Sequence, residues 1–168
     1  MKQKLLFKEE QAAVGTWAWY LVLLITAICI GSVALEMSQD PGPETLTGLV
    51  IAIVVTGGII VLFIFIKLEV TIDQQSIYYR YRPFISKERK LSKDDIADVY
   101  VRKYSPIFEY GGWGYRATLG KGKAFNVSGN IGLQLVLKDG KKLLLGTRKE
   151  KALRDAIVRL KENWNSNG

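Results

Sequence analysis

The chain of 168 residues contains no histidine and a single cysteine, Cys29. Without histidine the usual Ser-His-Asp and Cys-His arrangements of nucleophilic catalysis are missing, and one thiol supplies neither an internal disulfide nor a soft-metal site. Residue types alone leave carboxylate or Ser/Lys chemistry open. Charge is also missing, but only in two places. Trp17 to Leu35 and Leu46 to Ile66 carry no Asp, Glu, Lys or Arg. About 20 apolar residues at roughly 1.5 Å per residue make about 30 Å of helix, the thickness of a bilayer's hydrocarbon core. The composition therefore predicts two membrane-spanning helices, within 17–36 and 46–66. A cleaved signal peptide is the competing reading of the first run. That run is longer than a typical signal core, and no small-x-small cleavage site follows it.

A third absence sets the orientation. The stretch between the two runs, EMSQDPGPET, has Glu36, Asp40 and Glu44 but no lysine or arginine. Lys2, Lys4 and Lys8 precede the first run and Lys67 follows the second. The positive-inside rule then puts both termini in the cytoplasm and the Pro41-Gly42-Pro43 turn outside. The expected organisation is a cytoplasmic segment 1–16, a hairpin 17–66 and a cytoplasmic domain 67–168. Cys29 falls in mid-span, where it reads as a small hydrophobe in lipid or at a helix contact. Gly48, Ala52 and Thr56 recur every four residues, as do Ala27 and Gly31, giving each helix a narrow face for close approach.

What is present after residue 66 is a β pattern. Leu68, Val70 and Ile72 alternate, as do Ile77, Tyr79 and Tyr81, on either side of Gln74-Gln75, which predicts an antiparallel hairpin. That register sets Glu69 opposite Arg80 and Lys67 opposite Arg82. Phe84 to Leu91 reads as an edge-like third strand. Ser92 and Asp95 stand in capping relation for a short helical turn, followed by a strand from Ile96 to Tyr104. The acids of DDIAD are explained by turn chemistry without catalysis. WGYRATL and KAFNVS flank Gly120-Lys121-Gly122 as a second hairpin, and IGLQLVL and KKLLLG flank Asp139-Gly140 as a third. Thr147 and Glu150 form a capping box, after which Leu153, Ala156, Ile157, Leu160 and Trp164 trace one apolar stripe of a final helix.

About seven short antiparallel strands closed by a C-terminal helix resemble the pleckstrin-homology-like (PH-like) barrel. The hairpin of apolar helices, Asp95-Ile96 with Val99, the YGGWGYR run, SGNIGLQL and DGKKLLLGT are together similar to bacterial inner-membrane proteins that carry such a domain behind two spans. That family is mostly uncharacterised. The resemblance implies a fold, and no catalytic residue, metal or cofactor. Pleckstrin-homology domains that hold phosphoinositides use basic residues around their first loop. Here that loop is Asp73-Gln74-Gln75-Ser76, and Arg80 and Arg82 fall at the far end of the hairpin.

From Lys67 onward 21 lysines and arginines stand against 11 acids, a net +10. Such a domain gains from apposition to an anionic leaflet without head-group preference. No nucleic-acid motif accompanies the charge, so nucleic acid ranks below the leaflet as a partner. The glycine-rich Gly111–Phe125 run fails the Walker spacing, which needs glycine at Ala117 and Ser or Thr at Ala124. Two functions remain. One is a noncatalytic membrane-tethered module that docks a protein, another copy or the leaflet. The other is an accessory or pore-forming subunit whose spans do the work, although neither span carries a charge to line a polar path. Lys67, Arg80, Arg82, Trp113 and Arg116 are the candidate contact residues. In EYGGWGYR, alternation predicts a bulged strand with Trp113 packed in the barrel and Arg116 on the other face, against a docking surface as the alternative.

On a Cys29→Ser background, an impermeant thiol reagent is expected to label Asp40→Cys in intact cells and Ser166→Cys only after the membrane is opened. The reverse pattern overturns the orientation.

Overall fold

The computed structural model describes residues 4–166; Lys2, one of the three leading cations, lies outside them. The chain forms two compact units, one of residues 12–66 and one of residues 1–11 with 67–168.

The first unit holds two helices long and apolar enough to cross a membrane, α1 (Trp17–Gln39) and α2 (Pro43–Phe65). Thr16 opens α1, its hydroxyl accepting from the Trp19 N–H at 3.3 Å. Pro43 starts α2, where a missing N–H costs nothing. Both helices are longer at the connecting end than the apolar runs, leaving only Asp40 to Gly42 as the turn. No residue of either helix is buried, and apolar side chains face outward all round, as a lipid solvent requires. Gly48, Ala52, Thr56 and Phe63 are half-buried along α2, and Trp19 meets Phe63 with ring centroids 6.2 Å apart. On α1 the half-buried stripe is instead Val22, Thr26, Cys29 and Val33. Ala27 and Gly31, expected to be a contact face, point outward, because the bulkier stripe is the one turned toward α2.

The second unit is built on nine strands in two sheets plus helices α3 (Pro106–Tyr110) and α4 (Glu150–Ser166). The first sheet runs in the order β1 (Phe7–Ala12), β2 (Lys67–Ile72), β3 (Ser76–Arg82), β4 (Ile85–Ser92). The second runs β5 (Ile96–Lys103), β8 (Ile131–Leu137), β9 (Lys142–Thr147), β7 (Gly122–Asn126), β6 (Gly114–Thr118). The β2–β3 register pairs Glu69 with Arg80 and Lys67 with Arg82, as the alternation requires.

Three features depart from the expectation of seven antiparallel strands. Residues 7–12, expected to be a separate segment, form β1 on the edge of the first sheet. Leu6 N–H donates to the Ile72 carbonyl at 2.8 Å while Glu10 pairs with Lys67 at 3.1 Å, so β1 runs opposite to β2. Its inward residues are Phe7, Glu9 and Gln11. Two of these three are polar, so the strand has no apolar alternation. Second, β7 pairs in parallel with β9, while β8 and β9 form the antiparallel hairpin. Third, the Ser92–Asp95 segment is a β turn instead of a helical one. There the Asp95 carboxylate accepts from the Ser92 N–H and hydroxyl at 2.8 and 2.7 Å, and these bonds hold its pKa below the usual carboxylate range.

The core is the space between the sheets, with a smaller cluster beneath α3. Leu68, Val70, Ile72, Ile77 and Tyr81 come from the first sheet and Phe125, Leu133, Leu135 and Leu145 from the second. Leu153, Ala156, Ile157 and Leu160 form the buried stripe of α4, which packs on β5 and β8. Tyr110 of α3 covers Tyr104, Ala124 and Leu144 on the other face of the second sheet. Burial raises the Tyr81 and Tyr104 hydroxyls to about 12.

The buried polar groups of β1 bind it to the far sheet. The Glu9 carboxylate accepts from the Thr147 hydroxyl and from the Arg148 N–H at 2.9 Å, and the Gln11 amide donates to the Gly146 carbonyl at 2.8 Å. Losing β1 would orphan these groups and expose Phe7's contacts, a cost of at least about 3 kcal/mol. Ala13 N–H meets the Ile66 carbonyl at 3.1 Å, so residues 4–12 joined to 67–168 through Asn-Gly recreate a two-residue hairpin. The joined chain is expected to unfold cooperatively in urea, at a clearly higher midpoint than the bare 67–168 fragment. Equal midpoints followed by circular dichroism would deny β1 its role.

Candidate functional site

The sequence-predicted contact residues fall into two separate places. Lys67, Arg80 and Arg82 lie at one end of the β2–β3 pair, and each has a carboxylate partner there, two carboxylates serving three cations. Glu10 takes Lys67, and Glu69 takes Arg80 directly and Arg82 at 3.3 Å. Trp113 and Arg116 belong to the second sheet's end. Trp113 is half-exposed instead of buried, its indole N–H donating to the Gly129 carbonyl at 3.0 Å. Arg116 is exposed and its Nε donates to the Trp113 carbonyl at 3.2 Å.

The EYGGWGYR run therefore does something other than enter a strand. Glu109 and Tyr110 finish α3, and Gly111, at φ +72°, ends it in the left-handed conformation that glycine adopts without strain. The Glu109 carboxylate accepts from the Ser105 N–H at 2.8 Å and the Ser105 hydroxyl accepts from the Phe108 N–H, a reciprocal cap. Arg102 pairs with Glu109 at 2.8 Å and holds its carboxyl below the usual range. The buried aromatic of the run is Tyr110, not Trp113, because the helix turns Tyr110 inward before Gly111 redirects the chain.

The larger feature is a groove of about 780 Å³ between β4 on one side and the β6–β7 and β8–β9 turns on the other. Local sequence builds it. Gly122 has φ +81°, and a Cβ there would lie 2.1 Å from the Lys142 carbonyl oxygen, so only glycine permits the approach of the β6–β7 turn to the start of β9. The parallel pairing then sets Lys123 beside Leu143 and Phe125 beside Leu145. Across the groove, β4 is held by β3 through Tyr79 opposite Arg89 and Ile77 opposite Leu91.

Its floor is apolar, contributed by Phe125, Leu143, Leu137, Ile85, Leu91 and Tyr79. Phe125, 1% exposed, is the hub. It stacks on Tyr115 with centroids 4.9 Å apart and planes at 8°, and meets Tyr79 and Tyr81 of the other sheet at 5.6 and 5.5 Å. Burial raises the Tyr79 hydroxyl while the Arg89 charge pulls it back. The rim is cationic, with Arg89 and Lys90 from β4 and Lys123, Lys141 and Lys142 from the turns; no carboxylate lines it. Asp139 engages Lys141 at 2.7 Å, and Lys90 lies over the Tyr78 ring at 5.9 Å. Among the described residues no carboxylate pairs with Arg89, Lys123 or Lys142. Leu119, at the tip of the β6–β7 turn, is fully exposed.

This arrangement can hold a molecule that is apolar along one side and anionic at its head. Sequence reading missed it. The lysines of LGKGK and DGKK signal charged turns, but the parallel β7–β9 pair that brings those turns together links distant segments. Compared with family models and with curated proteins, the chain matches none.

In the joined soluble chain, Phe125→Ala is expected to cost about 3 to 5 kcal/mol by urea denaturation. Trp113→Ala should cost only about 1 to 2 kcal/mol, the loss of one hydrogen bond and a half-buried ring. A larger loss at Trp113 would move the hub there.

Proposed function

We propose that this protein is a noncatalytic, membrane-tethered interaction module, with a pleckstrin-homology-like domain held at the cytoplasmic face of a bacterial inner membrane. The observation that carries the reading is the groove, in a domain whose chain is continuous with two apolar helices. The rim cations repel one another with no carboxylate lining the groove to offset them, a cost that a bound anion would remove. Two sheets and a C-terminal helix packed on the second support the PH-like part of the reading.

Connectivity supports the tether. The hairpin is inserted between β1 and β2, adjacent antiparallel strands of one sheet, so a chain that crosses a bilayer on α1 and returns on α2 comes back to the side it left. Lys4 and Lys8 ahead of α1, and Lys67, Arg80 and Arg82 close behind α2, with no lysine or arginine in the connection between the helices, support the cytoplasmic side. The domain beyond residue 66 carries a net +10. The same charge favours a salt-sensitive apposition to an anionic leaflet.

A photo-crosslinking residue placed at Leu119 in the full chain, in cells, is expected to capture a protein or lipid. The same residue at Val54, within α2, is expected to capture bulk lipid alone. Protein adducts from Val54 with none from Leu119 would instead make the spans the working part of a larger complex.

A further inference from the structure

We infer that the groove is a binding site for an acidic membrane phospholipid, with the phosphate on Arg89, Lys123 and Lys142 and the first acyl carbons on the half-buried Ile85, Leu91 and Leu137. The inference rests on the module reading above and names its occupant.

Charge complementarity comes first. Five cations line the groove with no carboxylate among them, and three have no acidic partner among the described residues. Such a rim selects an anion, whereas the half-buried Ile85, Leu91 and Leu137 beneath it are apolar surface that a purely polar anion does not cover. An amphiphile satisfies both halves at once. Size comes second. Pockets of roughly 300 to 1,000 Å³ hold drug-sized molecules, so about 780 Å³ admits a glycerophosphate head and the start of a chain.

Supply decides between lipid and peptide. β2 follows α2 with only Ile66 between them, so the tether keeps the domain at a high effective concentration of lipid, an advantage that an acidic peptide in solution does not share. Leu119, fully exposed beside Lys121 and Lys123, pairs an apolar tip with cations, the combination that favours an anionic interface.

The site is distinct from the β2–β3 loop and from Arg80 and Arg82, both of which pair with Glu69. Its phosphate contacts fall outside the β2–β3 hairpin, which lends the groove only Tyr79.

The test uses the full chain in phosphatidylcholine nanodiscs and soluble dihexanoylphosphatidylglycerol as the probe. Dihexanoylphosphatidylcholine offers the same chains without net charge, and glycerol phosphate the same anion without chains. Acetic anhydride footprinting read by mass spectrometry compares Lys123 and Lys142 with Lys151 on α4. The anionic lipid is expected to slow acetylation of Lys123 and Lys142 several-fold, leaving Lys151 unchanged, and the two comparators are expected to have little effect. Lys123→Gln with Lys142→Gln should weaken the probe's hold by about tenfold or more, judged from the slowing at Lys141, and the double Arg variant should restore it. Equal protection by the choline lipid reduces the groove to an apolar cleft, and protection by glycerol phosphate alone reduces it to an ion site. Either result overturns the inference. So does no protection at all; if Leu119 still crosslinks a protein, the module reading stands and its partner is that protein.

Discussion

Everything in the β unit depends on one contact across the two sheets, the ring of Phe125 between Tyr115 on its own sheet and Tyr79 and Tyr81 on the other. Two sheets facing one another with no shared ladder need side chains to hold their spacing, and β4 and β6 are both edge strands. Each aromatic pair contributes about 0.5 to 1.5 kcal/mol beyond area burial, so three pairs on one ring are a sizeable share of a small domain's margin. The same ring is the deepest part of the groove floor. The interaction that joins the sheets also leaves the opening between them.

A second constraint works from the opposite side of the sheet. β1 is an edge strand whose inward positions alternate correctly but carry Glu9, at 4% exposure, and Gln11, at 1%. A buried carboxylate is tolerated because two donors at the end of β9 meet it. The hairpin of apolar helices is thereby an insertion into a β hairpin, not an anchor placed ahead of a finished domain. One consequence concerns any soluble version of the domain: a cut at Lys67 removes a strand.

The glycines of the chain divide along similar lines. Gly111 ends a helix and Gly122 admits a backbone within reach of Lys142. Gly146 is fitted against Asn126, whose Cβ would lie 2.8 Å from an added methyl. Asn126, fully buried, in turn donates to the Tyr104 hydroxyl and accepts from Gly114 N–H at 2.9 and 2.7 Å. A run that looks like a phosphate loop by composition is in this fold a set of positive-φ turns, with one close backbone approach at Gly122.

Local physics was legible in the residues alone. Two charge-free runs determine two helices, because length and apolarity are properties of a segment. The β2–β3 register and the α4 stripe follow from periods of 2 and 3.6 residues in contiguous stretches, and Glu69 opposite Arg80 follows with them. What the tertiary structure decided was every feature that joins distant segments. β1 lacks an apolar period because its inward partners are polar groups roughly 135 residues away. The β7–β9 pairing is parallel and leaves no local signature, and Trp113 lies half-exposed because α3 ends at Tyr110, three residues before it. The rim of Arg89, Lys123 and Lys142 exists only once a strand edge and two turns converge; no stretch of sequence contains it, because charge density at a site is a sum over neighbours in space.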